Sequence, residues 1–251
     1  MQKIKISAVS YTNTIPFIHG IEQSPKLLDL IDLSLDIPSV CASKLIDNQV
    51  DIGLVPVAAL LDIPNYRIVS DYCIGSVGKV TSVFIFSKKP IDSIATICLD
   101  SQSRTSNNLA RVLLQNYWKK EVTIVEEGEA ADAYVQIGDR TFGKDKIEPY
   151  AYDLGEIWTT FTGLPFTYAV WAANKEIPES FIESFNNALK LGLDNREELL
   201  NSIPEREDID IREYLLSSIN YDLDDKKRSA IKLFHQFIGE LYPLENQKAL
   251  T

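Results

Sequence analysis

Two long β-branched and aromatic runs, Val80–Ser87 (VTSVFIFS) and Phe166–Ala173 (FTYAVWAA), constrain this chain more than any other feature. Neither alternates enough to be a strand with one wet face, so each needs cover on both sides. Between them lies a stretch of about eighty residues, the size of a small domain. It restarts a strand–helix pattern of its own. The flanking segments then form one domain that the chain leaves and re-enters. The boundaries read from the runs are 1–87 and 174–251 for a discontinuous first lobe, and 88–173 for the second.

The local patterns fill this outline. Lys3–Val9 alternates like a first strand. Leu33–Asp36, Asp51–Val55 and Arg67–Ser70 are further short strands. Helices are expected from Pro38 to about Asn48 and from Pro56 through Leu61. The middle unit offers strands at Ala95–Leu99, Val122–Val125 and Tyr134–Ile137, and a helix over about Arg104–Trp118. Beyond Ala173 the pattern is helical, with Phe181, Phe185, Ala188 and Leu189 on one face and Ile231, Phe234, Ile238 and Leu241 on another. Alternating strands and helices predict α/β layers with largely parallel pairing. Two lobes joined by two crossover strands, with the ligand cleft between them, describe a type II periplasmic-binding-protein-like fold.

The segment Tyr152–Trp171 holds two of the three tryptophans. Its first half mixes aromatics with Asp, Gly, Glu and Thr, which reads as a short helix and turn that walls a cleft, with Trp158 and Phe161 facing a ligand. A core helix accounts for the same residues. The second half is explained by burial alone.

Net charge is −11 over 251 residues, which argues against nucleic acid and anionic membrane as partners. No run reaches the roughly 18 apolar residues of a membrane helix, and the first residues lack the apolar segment of a signal peptide. Three widely spaced cysteines (Cys41, Cys73, Cys98) suit reduced thiols, so a cytoplasmic location is expected. With two histidines and no paired cysteines, no metal site is expected. His235 reads as structural, and His19 lies near the first loop.

Four polar loops follow predicted strands: Ser10–Thr14, Gly75–Lys79 leading into Thr81 and Ser82, Asp100–Asn107, and Gly138–Arg140. In the third, Ser103 can cap a helix whose first turn carries Arg104, Thr105 and Ser106. Free N–H groups and the helix dipole there favour a carboxylate or phosphate. Simple capping accounts for the same residues. Parallel strands point their carboxyl ends to one side, which would bring these loops together at the cleft.

The motifs SYTNTIPF, SVGKVTSVFIFSKKPI, LDSQSRTSNNLARVLL, IGD and YDLGEIWTTFTGLPFTYAVWA, in this order, resemble chorismate dehydratase of the futalosine route to menaquinone. The resemblance covers most of residues 1–173. It implies a lyase that converts chorismate to 3-[(1-carboxyvinyl)oxy]benzoate without a cofactor. It also implies a catalytic role for Asn13 and substrate contacts from Ser82, Ser103, Arg104, Thr105 and Ser106; the first loop, the fourth loop and the aromatic segment add Tyr11, Asp139 and Trp158 as substrate-contact candidates. Thr12 stands where a Leu is common in the family. Two other functions compete: a 1,4-dihydroxy-6-naphthoate synthase-like enzyme, whose first-loop pattern Tyr11-Thr12-Asn13 does not match, and a non-catalytic small-anion binding protein.

Overall fold

The computed structural model describes residues 3–242; Met1, Gln2 and residues 243–251, assigned above to the first lobe, lie outside the described residues. The strands are β1 (Ile4–Val9), β2 (Ile31–Asp36), β3 (Ile52–Pro56), β4 (Arg67–Ser76), β5 (Val83–Ser87), β6 (Thr96–Cys98), β7 (Thr123–Val125), β8 (Ala133–Ile137), β9 (Tyr150–Asp153), β10 (Phe166–Ala173) and β11 (Asn220–Asp222). The helices are α1 (Ile15–Glu22), α2 (Pro25–Leu28), α3 (Pro38–Ile46), α4 (Arg104–Asn116), α5 (Leu154–Thr162), α6 (Glu179–Asp194), α7 (Arg196–Leu200), α8 (Ile211–Glu213) and α9 (Asp225–Leu241). Pro56 leads into a 3-10 turn at Val57–Asp62 rather than an α-helix.

Two sheets form, ordered β11-β4-β10-β3-β1-β2 and β7-β6-β8-β5-β9. The first is built from both ends of the chain and the second from its middle. Both apolar runs are buried at every strand position, which explains their composition. Their sheet membership differs from the boundaries drawn above. Val83–Ser87 pairs with β8 and β9 in the second sheet, and Phe166–Ala173 pairs with β3 and β4 in the first. The crossings are the short stretches before β5 and β10, Val77–Ser82 and Gly163–Pro165. A buried run marks a strand already seated between two neighbours, not the passage leading to it.

Pairing is mixed rather than largely parallel. β1 runs parallel to β2 and β3, and β6 to β7 and β8. The strands that carry the chain into a new sheet enter from the opposite end, so β5 and β10 are antiparallel to both neighbours. The strand foreseen at Arg67–Ser70 continues to Ser76, because Gly75 lets the Phe166 carbonyl and the Lys227 side chain come close. β11 interrupts a tail read as wholly helical and extends the sheet at β4.

Helix α1 begins with Pro16 in its first turn, where a missing N–H costs nothing. It crosses α6 at two glycines. A Cβ on Gly192 would sit 1.8 Å from the Pro16 carbonyl oxygen, and one on Gly20 would sit 2.0 Å from that of Ala188. His235 Nε2 lies 2.7 Å from the Val57 carbonyl oxygen, and burial holds its imidazole below the usual pKa.

Gly192→Ala is expected to destabilise the fold by about 1–3 kcal/mol, since backbone must move to admit one methyl group. Urea unfolding of the two proteins checks this, and an unchanged midpoint would refute the close-crossing account.

Candidate ligand-binding site

A cavity opens between the two lobes where the carboxyl ends of β1, β6 and β8 meet. The first lobe contributes Val9, Tyr11, Asn13, Pro56 and Tyr168; the second contributes Ser103, Thr105, Ser106, Ile137 and Gly138. Ser82 enters from the outward crossing. Apolar side chains make most of the remaining wall. None of the lining residues carries a carboxylate, imidazole, ammonium, guanidinium or thiol. Among the described residues, no group of three or more His, Cys, Asp or Glu side chains is arranged to hold a metal ion.

The α4 loop is capped from within. Ser103 Oγ accepts the Ser106 N–H at 3.0 Å and donates to Ser106 Oγ at 2.9 Å. Its own proton is therefore committed, while that of Ser106 remains for a ligand. Thr105 Oγ1 accepts the Ala58 N–H at 3.1 Å, which ties α4 to the turn after β3 and leaves the Thr105 proton available. The N-terminal end of α4 faces the same space and favours negative charge there.

Further contacts hold the lobes together. The Tyr11 hydroxyl donates to Gln102 Oε1. Asp139 accepts the Thr12 N–H at 3.1 Å and the Thr12 hydroxyl at 2.9 Å. Within the second lobe, buried Asp100 receives Arg140 Nη2 on both oxygens, at 2.8 and 2.6 Å. Burial pushes the Tyr11 phenol above its usual pKa, and the nearby Arg140 charge pulls the other way. Burial likewise raises Tyr168, whose hydroxyl lies 3.4 Å from Ser76 Oγ. Both phenols stay neutral.

The candidate residues named from sequence divide clearly by position. Tyr11, Asn13, Ser82, Ser103, Thr105 and Ser106 line the cavity. Arg104, Asp139 and Trp158 do not. Arg104 points outward to Asp62 at 2.9 Å, as a first-turn residue opposite the buried face of its helix must. Asp139 is spent on Thr12. Trp158 is fully buried, its Nε1 donates to the Pro165 carbonyl at 3.1 Å, and its ring packs edge-on against Phe166 and Phe234. The aromatic half-segment is therefore core, and Phe161 stacks near Phe237 rather than at the cavity. Sequence reasoning missed Tyr168, whose lone phenol in an apolar strand was the available signal, and the apolar wall.

Gly138 lines the cavity with φ +65°, and a Cβ there would stand 2.8 Å from the Tyr11 ring. Thr81, just before Ser82, also has a left-handed backbone (φ +59°), a strained state for a β-branched residue. The Asp153 carboxylate holds it. It accepts N–H groups from Val80 at 3.0 Å, Thr81 at 2.8 Å, Gly155 at 2.9 Å and Glu156 at 3.1 Å. Burial raises the pKa of this carboxyl, and the four donors oppose the shift.

A discontinuous first lobe, a second lobe inserted in it, and a cavity between them define the periplasmic-binding-protein-like class. Solved structures agree. A protein from Archaeoglobus fulgidus matches with a TM-score of 0.73 and 16% identity over 95% of this chain and 97% of that one. The aliphatic sulphonate binding protein SsuA from Escherichia coli matches at 0.61 and 15% over 100% and 94%. A Candida albicans protein described as having the generic periplasmic binding protein fold matches at 0.65 and 14% over 96% and 91%. The chain belongs to the menaquinone biosynthesis family, whose model matches residues 4–240. A chorismate dehydratase from Thermus thermophilus is 26% identical over 200 residues, 67% of this chain and 72% of that protein. No helix among the described residues is long and apolar enough to cross a membrane.

Asp153→Ala leaves four backbone donors without their acceptor and is expected to cost at least about 2 kcal/mol. Asp153→Asn, which keeps one acceptor oxygen, should cost less. Urea midpoints of both variants decide this; equal losses, or none, would remove the carboxylate from its assigned role.

Proposed function

We propose that this chain is a lyase that dehydrates chorismate to 3-[(1-carboxyvinyl)oxy]benzoate on the futalosine route to menaquinone. The observation that carries the reading is the lack of any neutral-pH base among the cavity residues, beside hydroxyl and amide groups suited to carboxylates. Loss of water from C3 and C4 needs a proton acceptor near C3. An added protein carboxylate would repel a dianionic substrate. The substrate's own enolpyruvyl carboxylate takes the C3 proton in this reading, the C3–H electrons form the new ring double bond, and the C4 hydroxyl leaves with its bonding pair, receiving that same proton back from the carboxyl group to depart as water. Aromatisation supplies the driving force.

The protein then contributes orientation and exclusion of water. Ser106 and Thr105, with the start of α4, receive a carboxylate. Asn13 and Ser82 lie across the cavity and orient the reacting carboxylate or the leaving hydroxyl. The cavity encloses about 50 Å³, room for a few waters and not for a substituted ring. Chorismate therefore enters with the lobes apart, and the Tyr11–Gln102 and Thr12–Asp139 contacts form as they close.

Incubation with chorismate, followed by chromatography and mass measurement of the product, tests the reading; no aromatic product at high enzyme concentration would sink it. Asn13→Ala is expected to lower kcat about a hundredfold or more, the usual cost of a positioned donor. Asp139→Asn and Glu156→Gln are expected to stay within about tenfold of wild type. If either abolishes turnover while chorismate still binds, a protein carboxylate is the base and the substrate-assisted route is wrong.

A further inference from the structure

Asn13 and Ser82 come from separate parts of the chain, and one buried side chain joins them. Tyr214 opens the π-helical turn Tyr214–Ser218, closed by the Ile219 N–H on the Tyr214 carbonyl at 3.0 Å. Such turns place one extra residue per turn and often occur where a side chain must be aimed. The Tyr214 ring is buried and meets Phe142 edge-on at 5.2 Å. Its hydroxyl donates to Ser82 Oγ at 2.9 Å, and the Asn13 side chain lies beside it. It does not line the cavity.

The hydrogens around it have one consistent arrangement. The Thr14 hydroxyl donates to Asn13 Oδ1 at 3.1 Å, so Asn13 Nδ2 is the end that faces Tyr214. Tyr214 has one proton, and Ser82 receives it. Its oxygen is then free to accept one Asn13 Nδ2 hydrogen. The second Nδ2 hydrogen is left for the cavity. Ser82, having accepted from Tyr214, has only a long 3.4 Å contact to the Val80 carbonyl for its own proton and can turn it to a ligand. Tyr221 pins the backbone below, its hydroxyl donating to the Asn13 carbonyl at 3.0 Å. Burial keeps the Tyr214 phenol neutral, so the chain of donors does not reverse as pH changes.

We propose that Tyr214 is a positioning residue that orders a one-way hydrogen-bond chain, Thr14 to Asn13 to Tyr214 to Ser82, and so makes both Asn13 and Ser82 donors toward an oxygen-rich ligand. The proposal rests on the dehydratase reading for its kinetic consequence. With Asn13 presenting N–H, its part is to hold a leaving hydroxyl or a carboxylate oxygen and not to accept the C3 proton. The segment beyond β10 thereby completes a site whose lining residues all come from earlier in the chain.

Tyr214→Phe keeps the ring packing and removes the hydroxyl. The expected result is a ten- to hundredfold lower kcat, KM within about threefold, and a thermal midpoint within a few degrees of wild type. In a Ser82→Ala background the same change should cost much less, because the chain is already broken. An independent readout is the pair of Asn13 side-chain amide signals in nitrogen–proton NMR spectra, identified by their loss in Asn13→Asp. They should shift and exchange faster in Tyr214→Phe. Unchanged amide signals, wild-type kcat, or additive losses in the double variant would overturn the proposal. If Tyr214→Phe fails to fold, Ser82→Ala removes the acceptor instead, and the Asn13 signals must move for the proposal to stand. A wild-type protein inert toward chorismate whose Asn13 signals do respond would defeat the dehydratase reading while leaving the positioning role intact.

Discussion

The chain passes between its two sheets twice, and both passages are held by one short helix. Asp153, which caps α5, binds the N–H groups of Val80 and Thr81 on the outward crossing. Thr159, one turn into the helix, accepts the Gly78 N–H at 3.1 Å. Trp158 reaches the other way and donates to Pro165 on the return crossing. Ser82 ends the first crossing and Tyr168 follows the second, so the position of these polar groups of the cavity depends on this clamp. A buried carboxylate with four N–H partners is stable without a counter-charge, because the donors replace most of its lost hydration. The left-handed Thr81 is the cost of turning the chain so sharply there.

The cavity itself does the opposite with charge. Its ionised neighbours are already engaged: Arg140 by Asp100, Asp139 by the Thr12 backbone and hydroxyl, Arg104 by Asp62. What faces the interior is neutral, with hydroxyls, an amide and phenols kept protonated by burial. Such a surface accepts an anion through directed hydrogen bonds and a helix terminus, without a cation that would also bind unrelated anions tightly.

Much of this architecture is legible in the sequence itself. The two apolar runs are strands, the four loops do converge, and Ser103 does cap α4. What escaped the sequence did so for physical reasons. A run buried on both faces looks the same whether it is a crossing or a central strand, so the lobe boundaries fell on the wrong side of Val83–Ser87 and Phe166–Ala173. Aromatic residues are equally apt for a wall and a core, and Trp158 went to the core. Helix α1 has no clear signature because Pro16 and Gly20 dilute its pattern, although that proline and that glycine are what fit it against α6. Tyr214 and Tyr221 carry no local signal, since their partners lie more than a hundred residues away in the chain.

The placement of β10 between β4 and β3 also orders events during synthesis. The first sheet has strands from the first seventy-six residues, yet its middle position stays vacant until residue 173 has emerged. By then every strand of the second sheet is already outside the ribosome. The later-numbered lobe is thus able to assemble first, and the lobe that begins the chain is sealed last, by a strand drawn from beyond its neighbour. Until that moment β3 and β4 present two apolar edges with nothing between them, the interval in which this chain is most exposed to pairing with a stranger.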